Sequence, residues 1–288
     1  MILAITIDKQ CSGQRLDDAL AAMAGISKGE ARRIIDRGGC AVNLAMVRVA
    51  SRTVKSGDQL TVGLMQPGEY NDLNLPKDAL LYEDDDLFAV NKPSGVPSQR
   101  TPYQLKGTLE FWVMEQLRLR GSGEPARVVH RLDRGTSGVM VFPKHRQAAA
   151  WLSAQFKDGL VEKTYLALVS GTPRLESWVE NGPIGKVGKS RYGVMQEGKP
   201  ASTSFRVIAA DASHALVEAY PKTGRTHQIR VHLAAARLPI VGDITYGGER
   251  GGRLMLHCRR LVLAGRNGAI LDLQAKPEAG FLELLGEG

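Results

Sequence analysis

Apolar residues recur at helical spacing in two early stretches and at strand spacing in much of the remaining chain. Leu16 and Leu20 fall one turn apart within Arg15-Leu16-Asp17-Asp18-Ala19-Leu20, which predicts a first helix. After Gly25, Ser27-Lys28-Gly29-Glu30 has the form of a capping box and opens a second helix whose Ala31, Ile34 and Ile35 share one face. Arg32, Arg33 and Arg37 lie off that face. Beyond Gly38-Gly39 the pattern relaxes into strand-like Cys40-Ala41-Val42-Asn43 and Val47-Arg48-Val49, and Ser56-Gly57-Asp58 turns into Gln59-Leu60-Thr61-Val62. Farther along, strands are predicted at 87–91, 127–132, 139–142, 165–170, 202–208, 215–220 and 259–263, and helices at 107–119, 145–157 and 226–237. Ile229, Leu233 and Ala236 carry the last helix, which Pro239 closes. The order shows neither a repeat nor a sustained β-α-β alternation, so an α+β fold is expected rather than a doubly wound parallel sheet.

Charge divides this pattern into parts. The 288 residues carry 38 Lys+Arg against 30 Asp+Glu, a balance of +8. Residues 13–63 hold 8 basic and 5 acidic groups, residues 64–86 hold 1 and 7, and residues 87–288 hold 28 and 17. An acidic connector therefore separates two basic units, each suited to an anionic partner. The connector also contains Pro67, Gly68, Asn71, Asn74 and Pro76, without apolar periodicity. The expected organisation is a small domain at 13–63, a linker at 64–80 and a larger domain at 81–288.

Composition removes several classes. With 43% hydrophobic and 24% charged residues the chain is neither disordered nor fibrous. The apolar run Val139-Met140-Val141-Phe142 is far shorter than the roughly 18 residues of a membrane span, and no basic region precedes a long apolar stretch in residues 1–7. A cytoplasmic protein without a membrane partner is expected. Cys11, Cys40 and Cys258 are odd in number and widely spaced, which predicts reduced thiols. His257 beside Cys258, and His227 five residues before His232, are poor ligand pairs because their side chains diverge, so no metal is expected. Gly182 and Gly188-Lys189-Ser190 miss the phosphate-loop spacing by one residue.

The densest polar stretch between apolar segments is Val128-Val129-His130-Arg131-Leu132-Asp133-Arg134-Gly135-Thr136-Ser137-Gly138-Val139. Asp133 is its only carboxylate. Spacing alone leaves two readings open: a reactive carboxylate presented at a sheet edge, or a turn residue capping its own loop.

Residues 130–144, His-Arg-Leu-Asp-Arg-Gly-Thr-Ser-Gly-Val-Met-Val-Phe-Pro-Lys, resemble the catalytic signature of the RluA-type family of RNA pseudouridine synthases. Other blocks of that family occur in order: Leu81-Tyr82-Glu83-Asp84-Asp85-Asp86-Leu87 with Val90-Asn91-Lys92-Pro93-Ser94-Gly95, Lys163-Thr164-Tyr165-Leu166-Ala167, Pro183-Ile184-Gly185, Gly198-Lys199-Pro200-Ala201, Thr223-Gly224-Arg225-Thr226-His227-Gln228-Ile229-Arg230-Val231-His232, Gly242-Asp243 with Tyr246-Gly247, and Leu256-His257. Pro143 departs from the pattern, where Ala is commoner before the Lys. The blocks at 15–20, 26–35 and 42–60 are similar to an S4 RNA-binding domain. The resemblance implies a largely antiparallel mixed-sheet catalytic domain behind a small α+β S4-like domain, and conversion of uridine to pseudouridine in structured RNA. It implies Asp133, Tyr165 and Arg230 as catalytic residues, with Arg225 the other candidate partner of Asp133 and more suited to phosphate. Tyr165 would stack on the target base. Arg32, Arg33, Arg37, Arg131, Arg134, Arg225 and His227 are the expected RNA contacts. The isomerisation has no redox change and adds no atoms, so no cofactor is expected. RNA is the expected partner, ribosomal RNA of the large subunit before transfer RNA, with no obligatory protein partner. The competing reading is an S4-bearing RNA-binding or ribosome-assembly factor without activity. A magnesium-dependent hydrolase or phosphotransferase would need further acids beside Asp133, and the segment has none.

Overall fold

The computed structural model describes residues 2–64, 73–101, 104–188, 191–278 and 280–281. Pro67, Gly68 and Asn71 of the connector, and Lys189 and Ser190, lie outside the described residues. The chain forms two compact units, Met1–Leu75 with Pro97–Gly123, and Pro76–Val96 with Glu124–Gly288.

The first unit contains β1 (Ile2–Thr6), α1 (Leu16–Ala24), α2 (Lys28–Asp36), β2 (Cys40–Val42), β3 (Ala45–Met46), β4 (Gln59–Gly63) and α3 (Leu109–Leu119). Its sheet runs β1-β4-β2-β3. Leu16, Leu20, Ala31, Ile34 and Ile35 pack with Val42, Leu60 and Val62, the faces that the spacing predicts. The Ser27 hydroxyl accepts the Glu30 N–H, which closes the N-terminus of α2. Fully buried Asp17 accepts from Arg15 and from Arg32 Nε, so one carboxylate ties α1 to α2.

Three features depart from the sequence pattern. The strand expected at 47–49 forms at Ala45–Met46 instead, because Asn43 and Leu44 both adopt positive φ and turn the chain within two residues. Strand β1, which the pattern does not predict, pairs antiparallel with β4. Residues 97–123, assigned by the pattern to the larger domain, belong to the first unit: Leu105 N–H donates to Arg37 O and Lys106 pairs with Asp36 at 2.7 Å.

The second unit contains β5 (Leu80–Glu83), β6 (Leu87–Lys92), β7 (Ser137–Pro143), α4 (Arg146–Lys157), β8 (Glu162–Ser170), β9 (Ser177–Glu180), β10 (Ile184–Lys186), β11 (Tyr192–Val194), β12 (Thr203–Ala210), β13 (His214–Pro221), α5 (Gln228–Ala235), β14 (Leu256–Ala264) and β15 (Ile270–Gln274). The main sheet runs β5-β6-β7-β14-β8-β13-β12-β9, with β15 on β14, while β10 and β11 form a separate hairpin. Among the described residues only the β7–β14 pair is parallel, which makes the α+β sheet largely antiparallel as expected. Strands β5, β9, β10, β11 and β15 escape the sequence pattern, being short or edge segments with weak alternation. Among the described residues no helix is long and apolar enough to cross a membrane.

Residues 127–132 are not a strand, contrary to expectation. Beyond the short parallel contact of β14 with Ser137 and Gly138, the Val141 N–H donates to His130 Nε2 at 2.9 Å. A side chain takes the place of a strand carbonyl, and the segment stays irregular. Strand β7 is buried throughout, which explains why 139–142 is uniformly apolar. Gly138 permits its parallel contact: φ is +115° and an added Cβ would lie 2.2 Å from Cys258 O. Gly138→Ala is therefore expected to destabilise the protein by about 2–5 kcal/mol, from backbone strain and overpacking together. Denaturant unfolding checks this, and a change within 0.5 kcal/mol, about the scale of an ordinary surface substitution, would contradict the close approach.

Candidate active site

Asp133 sits in the turn that feeds β7, where the Thr136 N–H donates to the Asp133 carbonyl at 3.0 Å. The turn is closed by the backbone of Asp133, and its carboxylate caps no backbone group among the described residues. Behind the turn, fully buried Lys92 spends its three protons on the carbonyls of Pro93, Val96 and Arg134, at 2.9, 2.7 and 3.1 Å. Burial pushes Lys92 down to about 7, with Asp133 and Glu278 acting the other way. Ser94 Oγ donates to Gly135 O, Gly95 N–H to Arg134 O, and Arg134 Nε back to Gly95 O. The loop bearing Asp133 is thus fastened along its length to the end of β6.

The carboxylate faces Arg230 on α5. Arg230 is 9% exposed, not a surface residue of its helix. Its Nε and Nη2 donate to the two oxygens of Asp243 at 2.7 and 2.8 Å, and its Nη1 donates to Asp133 Oδ2 at 3.1 Å. The Tyr246 ring lies against the guanidinium, 5.0 Å from centroid to Cζ. Burial by itself would lower the Arg230 pKa, but the two carboxylates more than reverse this and hold it above its ordinary value. Asp243 is positioned by a loop in which Gly242, at φ +79°, passes so close to Arg253 O that no side chain fits.

Asp133 and Arg230 line a cavity of about 510 Å³ together with Tyr165, Lys163, Thr136 and Arg225. Tyr165 and Lys163 project from the same face of β8, two residues apart. Tyr165 is paired across strands with Cys258. Burial first, and the neighbouring thiol second, hold the Tyr165 hydroxyl well above its ordinary pKa, so it stays protonated. Burial likewise pushes Cys258 up to about 12 and lowers Lys163. His130 stacks on Phe156 with ring centroids 4.3 Å apart, and burial lowers its pKa to about 3. It is a neutral acceptor for β7 rather than an acid or base.

The three residues that the resemblance marks as catalytic therefore surround one cavity. Of the expected RNA contacts, Arg131 and Arg134 are exposed and Arg225 is half-buried, with its Nε on Pro200 O. Arg225 is not the partner of Asp133. His227 lies 3.7 Å from Asp133 Oδ2. Arg32 and Arg33 are exposed on α2, and Arg32 also holds Asp17. Arg37 departs from the expectation: it terminates α2 and is buried, at 6% exposure, so it does not share the basic face. Sequence reasoning gives no role to Lys92, Asp243 or Tyr246. Their signal is present in the blocks Asn91-Lys92-Pro93, Gly242-Asp243 and Tyr246-Gly247, but nothing in the spacing ties them to Arg230 or to the turn.

Known proteins resemble this chain in sequence and fold. The family model described as RNA pseudouridylate synthase matches residues 86–235, and the S4 domain model matches residues 14–60. The Vibrio vulnificus protein named ribosomal large subunit pseudouridine synthase C is 37% identical over 259 residues, 85% of this chain and 80% of that protein. Its namesake in Escherichia coli K12 is 34% identical over 311 residues, 99% of this chain and 95% of that one. The solved structure of human RNA pseudouridylate synthase domain containing 4 superposes with a TM-score of 0.60 at 28% identity, covering 71% of this chain and 90% of that one.

The depressed pKa of His130 couples stability to pH. Between about 3 and 6.5 the unfolded chain binds a proton at this ring that the folded chain refuses, so the group's contribution is full above pH 6.5 and is lost as pH falls toward 3. NMR titration of the ring is expected to show a neutral His130, with Nε2 unprotonated, down to about pH 4. A midpoint near 6 would contradict the acceptor role.

Proposed function

The chain belongs to the RNA pseudouridylate synthase family, and we propose that the uridines it isomerises lie in ribosomal RNA of the large subunit, with Asp133, Tyr165 and Arg230 as the groups that act on them. The observation that carries this reading is the Asp133 carboxylate on the cavity wall: Arg230 binds Oδ2, and Oδ1 accepts no hydrogen bond among the described residues. One oxygen is held while the other remains available to a substrate.

The reaction asks for such a group. The N1–C1′ bond of uridine breaks, the base turns, and C5 joins C1′, while a proton leaves C5 and one is taken up at N1. A carboxylate can serve as nucleophile, base or electrostatic partner in this sequence, and all three roles need its anion. A carboxylate partly removed from water tends to protonate. A cation about 4 Å away offsets this by roughly 4 kcal/mol at an effective dielectric near 20, before desolvation is charged against it. Arg230 is at 3.1 Å and is itself fixed by Asp243, so the counter-charge cannot wander. The target base must leave its stack, and an aromatic face such as Tyr165 returns roughly 1–3 kcal/mol of what that costs. The buried Thr136 hydroxyl has no partner among the described residues and lines the same wall, free to meet a uracil carbonyl or ribose hydroxyl. Arg131, Arg134 and Arg225 supply phosphate contacts around the opening. Residues 13–63 act as an S4-like RNA-binding domain, with Arg32 and Arg33 toward phosphate, and residues 81–288, apart from the 97–123 segment that packs in the first unit, as the catalytic domain beyond the 64–80 linker. The protein works in the cytoplasm, on RNA, without an obligatory protein partner.

Tritium release from C5-labelled uridine tests the reading, with large-subunit ribosomal RNA and transfer RNA, each from cells lacking the protein, as separate substrates. Release from the ribosomal RNA alone is expected. Asp133→Asn is expected to abolish release while RNA affinity stays within about 3-fold, and Arg230→Lys, which keeps the charge but loses the fork, to slow it at least 10-fold. Release confined to transfer RNA would overturn the substrate; normal release by Asp133→Asn would overturn the site.

A further inference from the structure

His227 begins α5 in a conformation that a histidine adopts at a cost. Its φ is +57°, in the left-handed region, and its side chain makes no cap hydrogen bond to the helix. Glycine or asparagine would adopt this backbone more readily, and asparagine could also cap the helix. The imidazole is directed into the cavity instead. Such outliers persist where the surrounding structure over-determines them.

The surroundings of the ring specify its protons. Tyr192 at the start of β11 donates its N–H to Tyr246 Oη at 3.0 Å, and Tyr246 Oη lies 2.8 Å from His227 Nδ1. Both tyrosine rings meet the imidazole edge-on at 5.6 Å. The Tyr246 oxygen accepts from Tyr192, and we assign its own proton to Nδ1, which leaves the proton of the neutral imidazole on Nε2, facing the carboxylate. Nε2 lies 3.7 Å from Asp133 Oδ2, the oxygen that Arg230 also binds. The opposite tautomer would set a lone pair against the carboxylate. Burial lowers the His227 pKa; Asp133 and Asp243 act to raise it, and Arg230 and Arg131 to lower it. The ring is neutral at physiological pH.

We propose that His227 is a second positioning group for Asp133: an imidazole held in one tautomer by Tyr246 and Tyr192, whose Nε2–H and the Arg230 guanidinium converge on Oδ2 and leave Oδ1 for the uridine. The proposal rests on Asp133 being the reactive carboxylate, and it reassigns His227 from RNA contact to carboxylate holder. At 3.7 Å the contact is electrostatic; catalytic contacts of this kind commonly tighten when substrate fills the cavity, and a movement of about 1 Å would make it a hydrogen bond.

A double-mutant cycle on the full chain tests this. His227→Asn suits the left-handed backbone, and Tyr246→Phe removes the hydroxyl while keeping the ring against Arg230. Each is expected to lower the single-turnover rate about 10- to 50-fold, with RNA Kd changed less than 3-fold. The double variant is expected to be no slower than the slower single one, because both changes break the same chain of hydrogen bonds. Should Tyr246→Phe fail to fold, His227→Gly is expected to regain at least 5-fold in rate on addition of imidazole, with no change in Kd. Losses that multiply, a normal rate for His227→Asn, or a loss that appears in Kd rather than in rate would overturn the assignment. Asp133→Asn in the same assay separates the two readings: if it is active, the reactive carboxylate itself is misassigned, whereas an inactive Asp133→Asn beside a fully active His227→Asn overturns the role of His227 alone.

Discussion

One buried guanidinium shared between two carboxylates sets the terms for the rest of the second unit. Arg230 gives two of its donors to Asp243 and one to Asp133. The pairing with Asp243 is bidentate and nearly sealed from water, so it fixes the plane of the fork. The directions of the Nη1 donors are then set, and one of them meets Asp133. Removing either carboxylate has unequal effects: loss of Asp243 strands a buried cation, while loss of Asp133 frees one donor at the cavity wall. The structural and chemical duties of the arginine are divided between its edges.

That arrangement works only if the loop bearing Asp133 is equally fixed, and the sheet does this from the opposite side. Lys92 closes on three backbone carbonyls, one of them in the turn, at the end of β6. His130 replaces a strand partner for Val141 and stays neutral. Gly138 lets β7 run against β14 at a distance no other residue allows. Each of these groups is polar or lacks a side chain in the middle of an apolar region, and each fits only the particular neighbours around it. Such networks specify a single loop geometry more strongly than apolar packing does.

The readable parts of the sequence are those where one residue's position implies its neighbour's. Leu16, Leu20, Ile34 and Ile35 are legible as a core because helical spacing is local, and the Ser27 capping box because it spans three residues. Asp133, Tyr165 and Arg230 are legible through motif resemblance, each as a separate position. The pairing of Arg230 with Asp243 is not, because spacing along a helix says nothing about a loop 13 residues later. Arg37 looks like its neighbours Arg32 and Arg33 by charge, yet it falls where α2 ends and the chain turns inward, and burial there depends on residues 97–123 folding back. The strand expected at 127–132 fails for a related reason: its apolar residues are visible, but the edge of β7 is already served by the His130 ring.

The charge of the chain and the charge of the cavity lining have the same sign. The chain as a whole carries +8, concentrated on both sides of an acidic connector. At the cavity wall Arg230 joins Asp133 to the buried Asp243 behind it, and burial lowers the pKa of the nearby His227. Cations nonetheless outnumber acids among the residues lining the cavity: Arg131, Lys157, Lys163, Lys222, Arg225 and Arg230 stand against Asp133. A lining of that composition favours an anionic ligand. Attraction of an anionic ligand and placement of the Asp133 carboxylate are thus met by one set of cations, of which Arg230 is the one committed to the carboxylate.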